Sequence, residues 1–212
     1  MSKDEQKIIV VERDKLFKND YFQGFSSNEK IDYESRILSN LKIMKRGDAE
    51  EDPSHKQPIG YISILNPGKK EIFVYQRSSK DKEYGEKRLQ GKLSFGVGGH
   101  IEDFEYKTEN PIKESTSREL FQEIEIIGNA KNPIVLGYIN DDKDSVGKVH
   151  FGLWYVVSSD KIFKVIPKDK EIERGEMMHI EKLEEIIFSP DYEFEGWSKI
   201  LLEPLKEYFN RF

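Results

Sequence analysis

The segment FGVGGHIEDFEYKTENPIKESTSRELFQEIEI, residues 95–126, combines a cluster of glycines with many carboxylates and a helical pattern. Gly98 and Gly99 lack Cβ atoms, so they can adopt unusual dihedral angles and allow close approach to the main chain. A helix is predicted over residues 111–125, because Asn110 is a good N-cap and proline is favoured at the first helical position. The pattern suits a divalent metal held against a phosphate, and equally a turn followed by a solvated helix.

The helix places oxygen ligands on one face. Glu119 and Glu123 are four residues apart and therefore share that face, with Gln122 beside them. Magnesium binds hard oxygen ligands and keeps several of its waters, so two or three protein oxygens are enough for a site. A main-chain carbonyl from the glycine segment would complete the shell. The residues alone leave both the metal site and a solvated helix face open.

The composition excludes several kinds of site. The chain has 212 residues, of which 36% are hydrophobic, enough for one ordinary core. It has no cysteine, which excludes disulfides, thiolate catalysis and cysteine-ligated metal centres. A formal net charge of -6 gives no bulk attraction to nucleic acid or to an anionic membrane. No apolar run is long enough for a membrane span or a signal peptide, so a cytoplasmic protein is expected.

Strand and helix patterns alternate without strict βαβ order, which predicts a mixed sheet flanked by helices. Residues 28–44 are predicted to form a helix, and the polar residues 46–58 a loop. That loop is the best boundary between an N-terminal extension, residues 1–57, and a main domain, residues 58–212. The other predicted strands are 7–12, 60–65, 71–77, 93–99, 132–141 and 147–157, and the other predicted helices are 179–188 and 193–209.

The segment resembles the Nudix box, in which G-x5-E is followed by R-E-U-x-E-E-x-G-U, where U is aliphatic. The matching residues are Gly99, Glu105, Arg118, Glu119, Leu120, Glu123 and Ile126. Further stretches, among them QGKLSFGVGGHI and FEGWSKIL, are similar to a branch of that superfamily described as predicted phosphoesterases. The resemblance covers most of the chain.

The resemblance implies a fold and a reaction. The fold would be an α/β/α sandwich with a mixed β-sheet, extended at the N-terminus by a strand and a helix. The reaction would be hydrolysis of a phosphoanhydride bond in a nucleoside diphosphate derivative. Mg²⁺ is the implied cofactor, with Mn²⁺ as the alternative. The implied partner is a small nucleotide-type substrate; an RNA end is less favoured, and no membrane is expected.

The resemblance also implies residue roles. Glu119 and Glu123 would bind the metal, one of them also acting as general base, with Gln122 and the Gly98 carbonyl in the same shell. Arg118 and Glu105 would form an ion pair that orients the box. The candidate substrate-binding residues are His100, Lys87, Arg88 and His150. Trp154, Tyr155 and Trp197 would stack on a base or, by default, pack in the core.

Three departures from the motif bear on activity. The spacer between Glu105 and Arg118 has twelve residues rather than seven, which predicts an extra loop before the helix. Gln122 stands where a glutamate is expected, and Glu125 where a glycine is expected. Because glutamine brings no charge, the alternative is a non-catalytic module that binds nucleotide or RNA with an impaired metal site. The carboxylates that could replace the missing charge are Glu102, Asp141, Asp142, Glu173 and Glu176.

Overall fold

The protein is a mixed α/β protein. The computed structural model describes residues 3–79 and 89–212 and, for Phe163, the main chain alone. The strands are β1 (Lys7–Glu12), β2 (Gly24–Ser27), β3 (Leu41–Lys45), β4 (His55–Asn66), β5 (Glu71–Arg77), β6 (Leu93–Ser94), β7 (Ile124–Gly128), β8 (Ile134–Asn140), β9 (His150–Ser158), β10 (Ile162–Pro167) and β11 (Ile172–His179). The helices are α1 (Arg13–Phe17), α2 (Tyr33–Leu38), α3 (Arg46–Glu51), α4 (Pro111–Glu123), α5 (Ser145–Val149), α6 (Ile180–Ile186) and α7 (Gly196–Phe209). No helix in these described ranges is long and apolar enough to cross a bilayer.

The chain divides into two compact units. The first unit comprises Met1–Tyr61, Gly98–Arg118 and Val135–Tyr155. The second comprises Ile62–Val97, Glu119–Ile134 and Val156–Phe212. Strands β4 and β9 and helix α4 contribute residues to both. The expected boundary at residue 57 remains a prediction.

Strand β1 is the centre of the first unit. Its apolar residues Ile8–Val11 are buried, and the predicted strand at 7–12 is confirmed. It pairs antiparallel with β3 and with β4. The Ile9 amide also donates to the Ile101 carbonyl at 2.8 Å, and Ile8 forms a bridge with Glu102. The N-terminal strand therefore fixes the segment that follows the glycines.

Aromatic rings fill the rest of the core of the first unit. Strand β8 lies between β9 and β2 and brings Tyr138 against Phe151 of β9. Phe17, Phe22 and Tyr33 pack around Phe151 with ring centroids 5.5 to 6.0 Å apart. Such ring pairs contribute about 0.5–1.5 kcal/mol beyond the area they bury.

Strand β5 is the centre of the second unit. It pairs antiparallel with β11, with β6 and with β4, where Leu65 faces Ile72, so the predicted hairpin is confirmed. Strands β7 and β10 form a separate antiparallel pair. Helix α7 buries Leu201, Leu205 and Phe209, which confirms the predicted closing helix. The predicted short helix at 179–188 is likewise confirmed by α6.

The prediction of one helix over residues 28–44 is wrong in its extent. Helix α2 covers only Tyr33–Leu38, and Asp32 caps it by accepting a hydrogen bond from the Ser35 amide at 3.0 Å. Residues 41–45 form β3 instead, because they pair with the buried strand β1. Leu41 and Met44 fit the helical period, but the edge of β1 offers them main-chain hydrogen bonds.

The prediction of a loop over residues 46–58 is also wrong. Residues 46–51 form helix α3, whose Ala49 is buried against Ile8 and Val10 of β1. Strand β4 then begins at His55 and includes the proline at position 58. The first residues of β4 pair with β1, so they form a strand although their composition is typical of a loop.

Gly98 shows why the glycine segment lacks side chains. Its φ is +147°, and a Cβ atom there would lie 1.7 Å from the carbonyl oxygen of Gly60. The main chain of β4 therefore occupies the space that a side chain would need.

We expect Gly98→Ala to lower the free energy of unfolding by more than about 3 kcal/mol, since the clash with Gly60 adds to the ~1–2 kcal/mol of a left-handed conformation. Gly24→Ala is the matched control, because Gly24 has a φ of +91° and nothing lies within 4 Å of the position that its Cβ atom would occupy. Urea unfolding followed by circular dichroism measures both. Equal losses in the two variants would contradict the close packing of Gly98 on Gly60.

Candidate functional site

A buried ion pair between Glu105 and Arg118 joins the two halves of the predicted motif. Glu105 lies in a 3₁₀ turn, Asp103–Lys107, and is fully buried. Arg118 Nε donates to Glu105 Oε1 at 2.9 Å, and Arg118 Nη2 donates to Glu105 Oε2 at 3.2 Å. This two-point contact is the strong geometry for an arginine and a carboxylate.

The pair also holds the chain that precedes the helix. Arg118 Nη2 donates to the His100 carbonyl at 3.0 Å, and Glu105 Oε2 accepts from the Glu102 amide at 2.8 Å. The guanidinium lies over the Phe104 ring, 5.7 Å from its centroid. The residues from 100 to 105 are therefore fixed to helix α4 through one guanidinium.

The start of helix α4 is built as predicted. Asn110 Oδ1 accepts from the amides of Ile112 and Lys113, each at 3.1 Å. Asn110 Nδ2 donates to the buried Glu34 at 2.9 Å, and the Tyr155 hydroxyl donates to the other oxygen of Glu34 at 2.9 Å. Burial, reinforced by the charge of Glu34, raises the pKa of Tyr155, so its hydroxyl remains a donor.

The expected metal-binding residues lie on the last turns of helix α4. Glu119 and Glu123 are half-buried, whereas Gln122 is exposed. The helix ends at Glu123, whose carbonyl accepts from the amides of Lys168 and Asp169 at 2.7 and 3.2 Å. The chain continues directly into β7, with Glu125 exposed on that strand. The strand follows the helix without the turn that a glycine at position 125 would favour.

A second group of titratable side chains lies entirely within the first unit. His100 Nε2 and His150 Nε2 are 3.2 Å apart. Glu50 Oε1, from helix α3, lies 3.9 Å from His100 Nε2 and 3.6 Å from His150 Nε2. The three side chains have the residue types and the convergence of metal ligands. We call Glu50, His100 and His150 the histidine–glutamate cluster.

Burial keeps the His100 ring neutral at pH 7, and a hydrogen bond fixes the orientation of the His150 ring. Burial lowers the pKa of His100 well below its usual value, and the positive charge of Arg46 lowers it further. His150 Nδ1 lies 2.7 Å from the Val146 carbonyl, which can only accept, so Nδ1 carries the proton. In the neutral ring, Nε2 of His150 then presents a lone pair towards His100.

Gln57 contacts the same cluster from strand β4. Its side chain is fully buried, and Gln57 Oε1 lies 2.7 Å from His100 Nε2. Gln57 Nε2 finds no hydrogen-bond partner among the residues that the structure describes. A buried donor without a partner costs about 1–3 kcal/mol, and a bound water or ion nearby is one explanation for such a group.

Comparison with known proteins agrees with this architecture. Protein YmaB of Bacillus subtilis (strain 168) is 37% identical over 214 residues, which cover 97% of this chain and all of YmaB. The solved structure of Tm1382, named as a candidate Nudix hydrolase, covers 98% of this chain and all of its own, with 25% identity and a TM-score of 0.75. A Nudix hydrolase from Alicyclobacillus acidocaldarius covers 71% of this chain and 90% of its own, at 10% identity and a TM-score of 0.55. No protein-family model matches the chain.

The chain belongs to the YmaB family. Its fold is that of the Nudix hydrolases, which confirms the predicted fold class of a mixed α/β protein with a mixed sheet. The twelve-residue spacer of this YmaB relative, residues 106–117, contains the end of the 3₁₀ turn, a short exposed connection and the first residues of helix α4. In the connection, Thr108 Oγ1 donates to the Glu105 carbonyl at 2.8 Å. The extra residues thus leave the Glu105–Arg118 pair intact.

The structure assigns other partners to most of the replacement carboxylates. Asp142 accepts hydrogen bonds from Arg13, Tyr21 and the fully buried Lys56. Burial works to raise the pKa of Asp142, but these hydrogen bonds outweigh it and hold the pKa well below its usual value. Asp142 therefore has a structural role in this YmaB relative.

Three more of these carboxylates form hydrogen bonds or ion pairs with other side chains. Asp141 accepts from Gln23 Nε2 at 2.5 Å, and Glu173 accepts from the Ser79 hydroxyl at 2.9 Å. Glu102 lies 3.7 Å from Arg118 Nη1, beside the buried pair. Glu102 is thus adjacent to a residue of the motif within the first unit.

Of the remaining predicted residues, Lys87 and Arg88 lie outside the part of the chain that the structure describes. Trp154 and Tyr155 are about 1% exposed, so they pack in the core as expected by default and not against a base. Trp197 is half-buried on helix α7. The residues that sequence reasoning missed are Glu50 and Gln57, both assigned to a loop. Neither belongs to a recognisable motif, so only their position in the fold identifies them.

We expect Glu105→Gln to lower the free energy of unfolding by about 3 kcal/mol, because it leaves the Arg118 guanidinium half-buried without its carboxylate. Glu109→Gln is the matched control, since Glu109 is exposed in the same loop and should change stability by less than about 0.5 kcal/mol. Chemical denaturation of the two variants beside the parent protein gives the comparison. A loss no larger than that of the control would show that the pair does not hold the motif.

Proposed function

We propose that this protein is a Mg²⁺-dependent Nudix-type hydrolase that cleaves a phosphoanhydride bond in a nucleoside diphosphate derivative. Membership of the predicted-phosphoesterase branch, inferred from the GVGGH segment, is part of the same proposal. The observation that carries it is the buried Glu105–Arg118 pair, which connects both halves of the motif despite the long spacer. A solvated helix face has no need for a fully buried carboxylate held by two hydrogen bonds.

The donor set of helix α4 fits magnesium. Glu119 and Glu123 offer carboxylate oxygens one helical turn apart, and both are half-buried, which limits competition from bulk water. Gln122 adds a neutral oxygen on the same helix, and the Gly98 carbonyl remains the further neutral ligand that the resemblance implies. Bound Mg²⁺ would supply charge neutralisation for the phosphate oxygens and a lower pKa for the attacking water. Mn²⁺ has similar ligand preferences and is the alternative.

The roles of the four acidic and basic residues differ. Glu105 is a positioning residue, because both of its oxygens accept hydrogen bonds and it is shielded from solvent. Arg118 orients the motif through Glu105 and the His100 carbonyl. By their positions in the motif that the chain resembles, Glu119 and Glu123 bind the metal, and one of them receives the proton from water. The substrate contacts expected of Lys87, Arg88, His100 and His150 stay predictions.

A second candidate function is a nucleotide- or RNA-binding module without catalysis. Gln122 favours it, because a neutral amide replaces a negative charge at a position where the motif has glutamate. Such a module would bind nucleotide independently of metal and release no product. We place it second because both oxygens of Glu105 are hydrogen-bonded and the pair with Arg118 is fully formed.

We expect release of a nucleoside monophosphate from at least one member of a panel of nucleoside diphosphate derivatives when Mg²⁺ is present. Glu123→Gln should lower kcat by about a hundredfold or more, as expected for the loss of a general base or metal ligand. Glu125→Gln, two residues further on the exposed face of β7, is the matched control and should retain activity. Product release is followed by chromatography.

Calorimetric titration of the same panel separates the two candidate functions. Nucleotide affinity that needs Mg²⁺ and falls in Glu123→Gln agrees with the hydrolase. Affinity that is independent of Mg²⁺, with no turnover in any of the proteins, would replace the hydrolase with the binding module.

A further inference from the structure

The histidine–glutamate cluster has the dimensions of a metal site. A triangle with sides of 3.2, 3.6 and 3.9 Å, drawn through His100 Nε2, His150 Nε2 and Glu50 Oε1, has its circumcentre about 2.1 Å from each corner. Bonds from zinc to histidine nitrogen and carboxylate oxygen are about 2.0–2.2 Å long. One cation can therefore lie at bonding distance from all three atoms with little movement of the side chains.

Hydrogen bonds join His100 to Gln57 and to His150, whereas Glu50 approaches the two rings at longer distances and also lies 3.8 Å from Arg46 Nε. The distances from Glu50 Oε1 to the two Nε2 atoms are 3.9 and 3.6 Å, longer than the usual hydrogen bond. His100 Nε2 lies near two atoms at once, Gln57 Oε1 at 2.7 Å and His150 Nε2 at 3.2 Å. One ring proton cannot satisfy both contacts fully.

The surroundings of the cluster match those of a metal ligand set. His150 Nδ1 donates to the Val146 carbonyl, which fixes the ring with Nε2 towards the cluster. Metal-binding histidines usually donate their other nitrogen in this way. The His100 carbonyl is held by Arg118, so its position in the chain is also fixed. Gln57, buried beside His100 with its amide nitrogen unmet, adds a neutral oxygen donor.

We propose that Glu50, His100 and His150 bind one divalent transition metal ion, at a site chemically distinct from the carboxylates of helix α4. Two histidines and one glutamate are a ligand set that zinc uses where one coordination position stays open for water or substrate. Imidazole suits zinc, cobalt, nickel and iron, whereas magnesium prefers oxygen alone. The site therefore takes an imidazole-preferring metal and not the Mg²⁺ of the proposed hydrolase.

The ligands come from three distant parts of the sequence. Glu50 lies on α3, His100 follows the glycine segment and His150 begins β9. A bound ion would cross-link these segments within the first unit, so it should raise thermal stability as well as bind. Stability gives a readout that does not depend on hydrolysis.

The test is a titration of metal-free full-length protein with Co²⁺ in the presence of excess Mg²⁺. Mg²⁺ saturates oxygen-only sites, so that Co²⁺ reports on sites containing imidazole. We expect one equivalent of Co²⁺ to bind with visible absorption bands, to be displaced by Zn²⁺, and to raise the melting temperature. Glu50→Gln and His150→Gln should weaken binding by at least the roughly tenfold to hundredfold that loss of an outer-shell partner causes.

Two controls locate the metal. His179→Gln removes a histidine outside the cluster, at the N-cap of α6, and should bind Co²⁺ as the parent protein does. The double variant Glu119→Gln and Glu123→Gln should also keep the Co²⁺ bands, although it is expected to lose hydrolysis. Glu50 is partly exposed on a surface helix, so Glu50→Gln keeps the test valid if His150→Gln fails to fold.

The proposal is overturned if the parent protein binds no Co²⁺, or if Glu50→Gln and a folded His150→Gln bind it as tightly as the parent. If the Co²⁺ bands are lost only in the Glu119 and Glu123 double variant, the metal binds on helix α4, and the proposed site at the histidine–glutamate cluster is wrong. The absorption bands do not depend on turnover. Binding of Co²⁺ at the cluster without hydrolysis of any substrate would therefore contradict the proposed hydrolase activity and leave the metal site in place.

Discussion

The buried pair of Glu105 and Arg118 is the interaction on which the motif depends. Removing a carboxylate and a guanidinium from water is costly, and such a pair persists only when its hydrogen bonds are well formed. Here both oxygens of Glu105 accept, and Arg118 also binds the His100 carbonyl. One guanidinium thus fixes the chain after the glycines to helix α4, and an insertion of several residues in between leaves that contact unchanged.

The N-terminal residues are part of this arrangement and not an appendage to it. Strand β1 pairs with β3 and β4 and contacts Ile101 through its main chain. Helix α3 packs its Ala49 on β1, and this packing places Glu50 beside His100 and His150. A segment with the composition of a loop therefore supplies a charged side chain to a cluster whose other members lie 50 and 100 positions further along the chain.

Two different ligand chemistries exist in this one chain. Helix α4 offers only oxygen donors, which suit a hard cation such as magnesium. The histidine–glutamate cluster offers two imidazoles and one carboxylate, which suit a transition metal. The two proposals are independent, because each predicts a different metal preference and each is removed by different substitutions.

The sequence by itself determined the parts whose signals are local. The N-cap at Asn110, the start of helix α4, the hairpin of β4 and β5 and the strand at 7–12 depend on neighbours within a few residues. The helix ends at Glu123, two residues before its predicted end. The ion pair of Glu105 and Arg118 followed from a motif with fixed order. Only the tertiary structure decided that residues 41–45 form a strand, that Gly98 lies against Gly60, and that Glu50 meets two histidines. These outcomes depend on contacts between residues far apart in the chain. Such contacts cannot be predicted from the local hydrophobic period or from residue propensities.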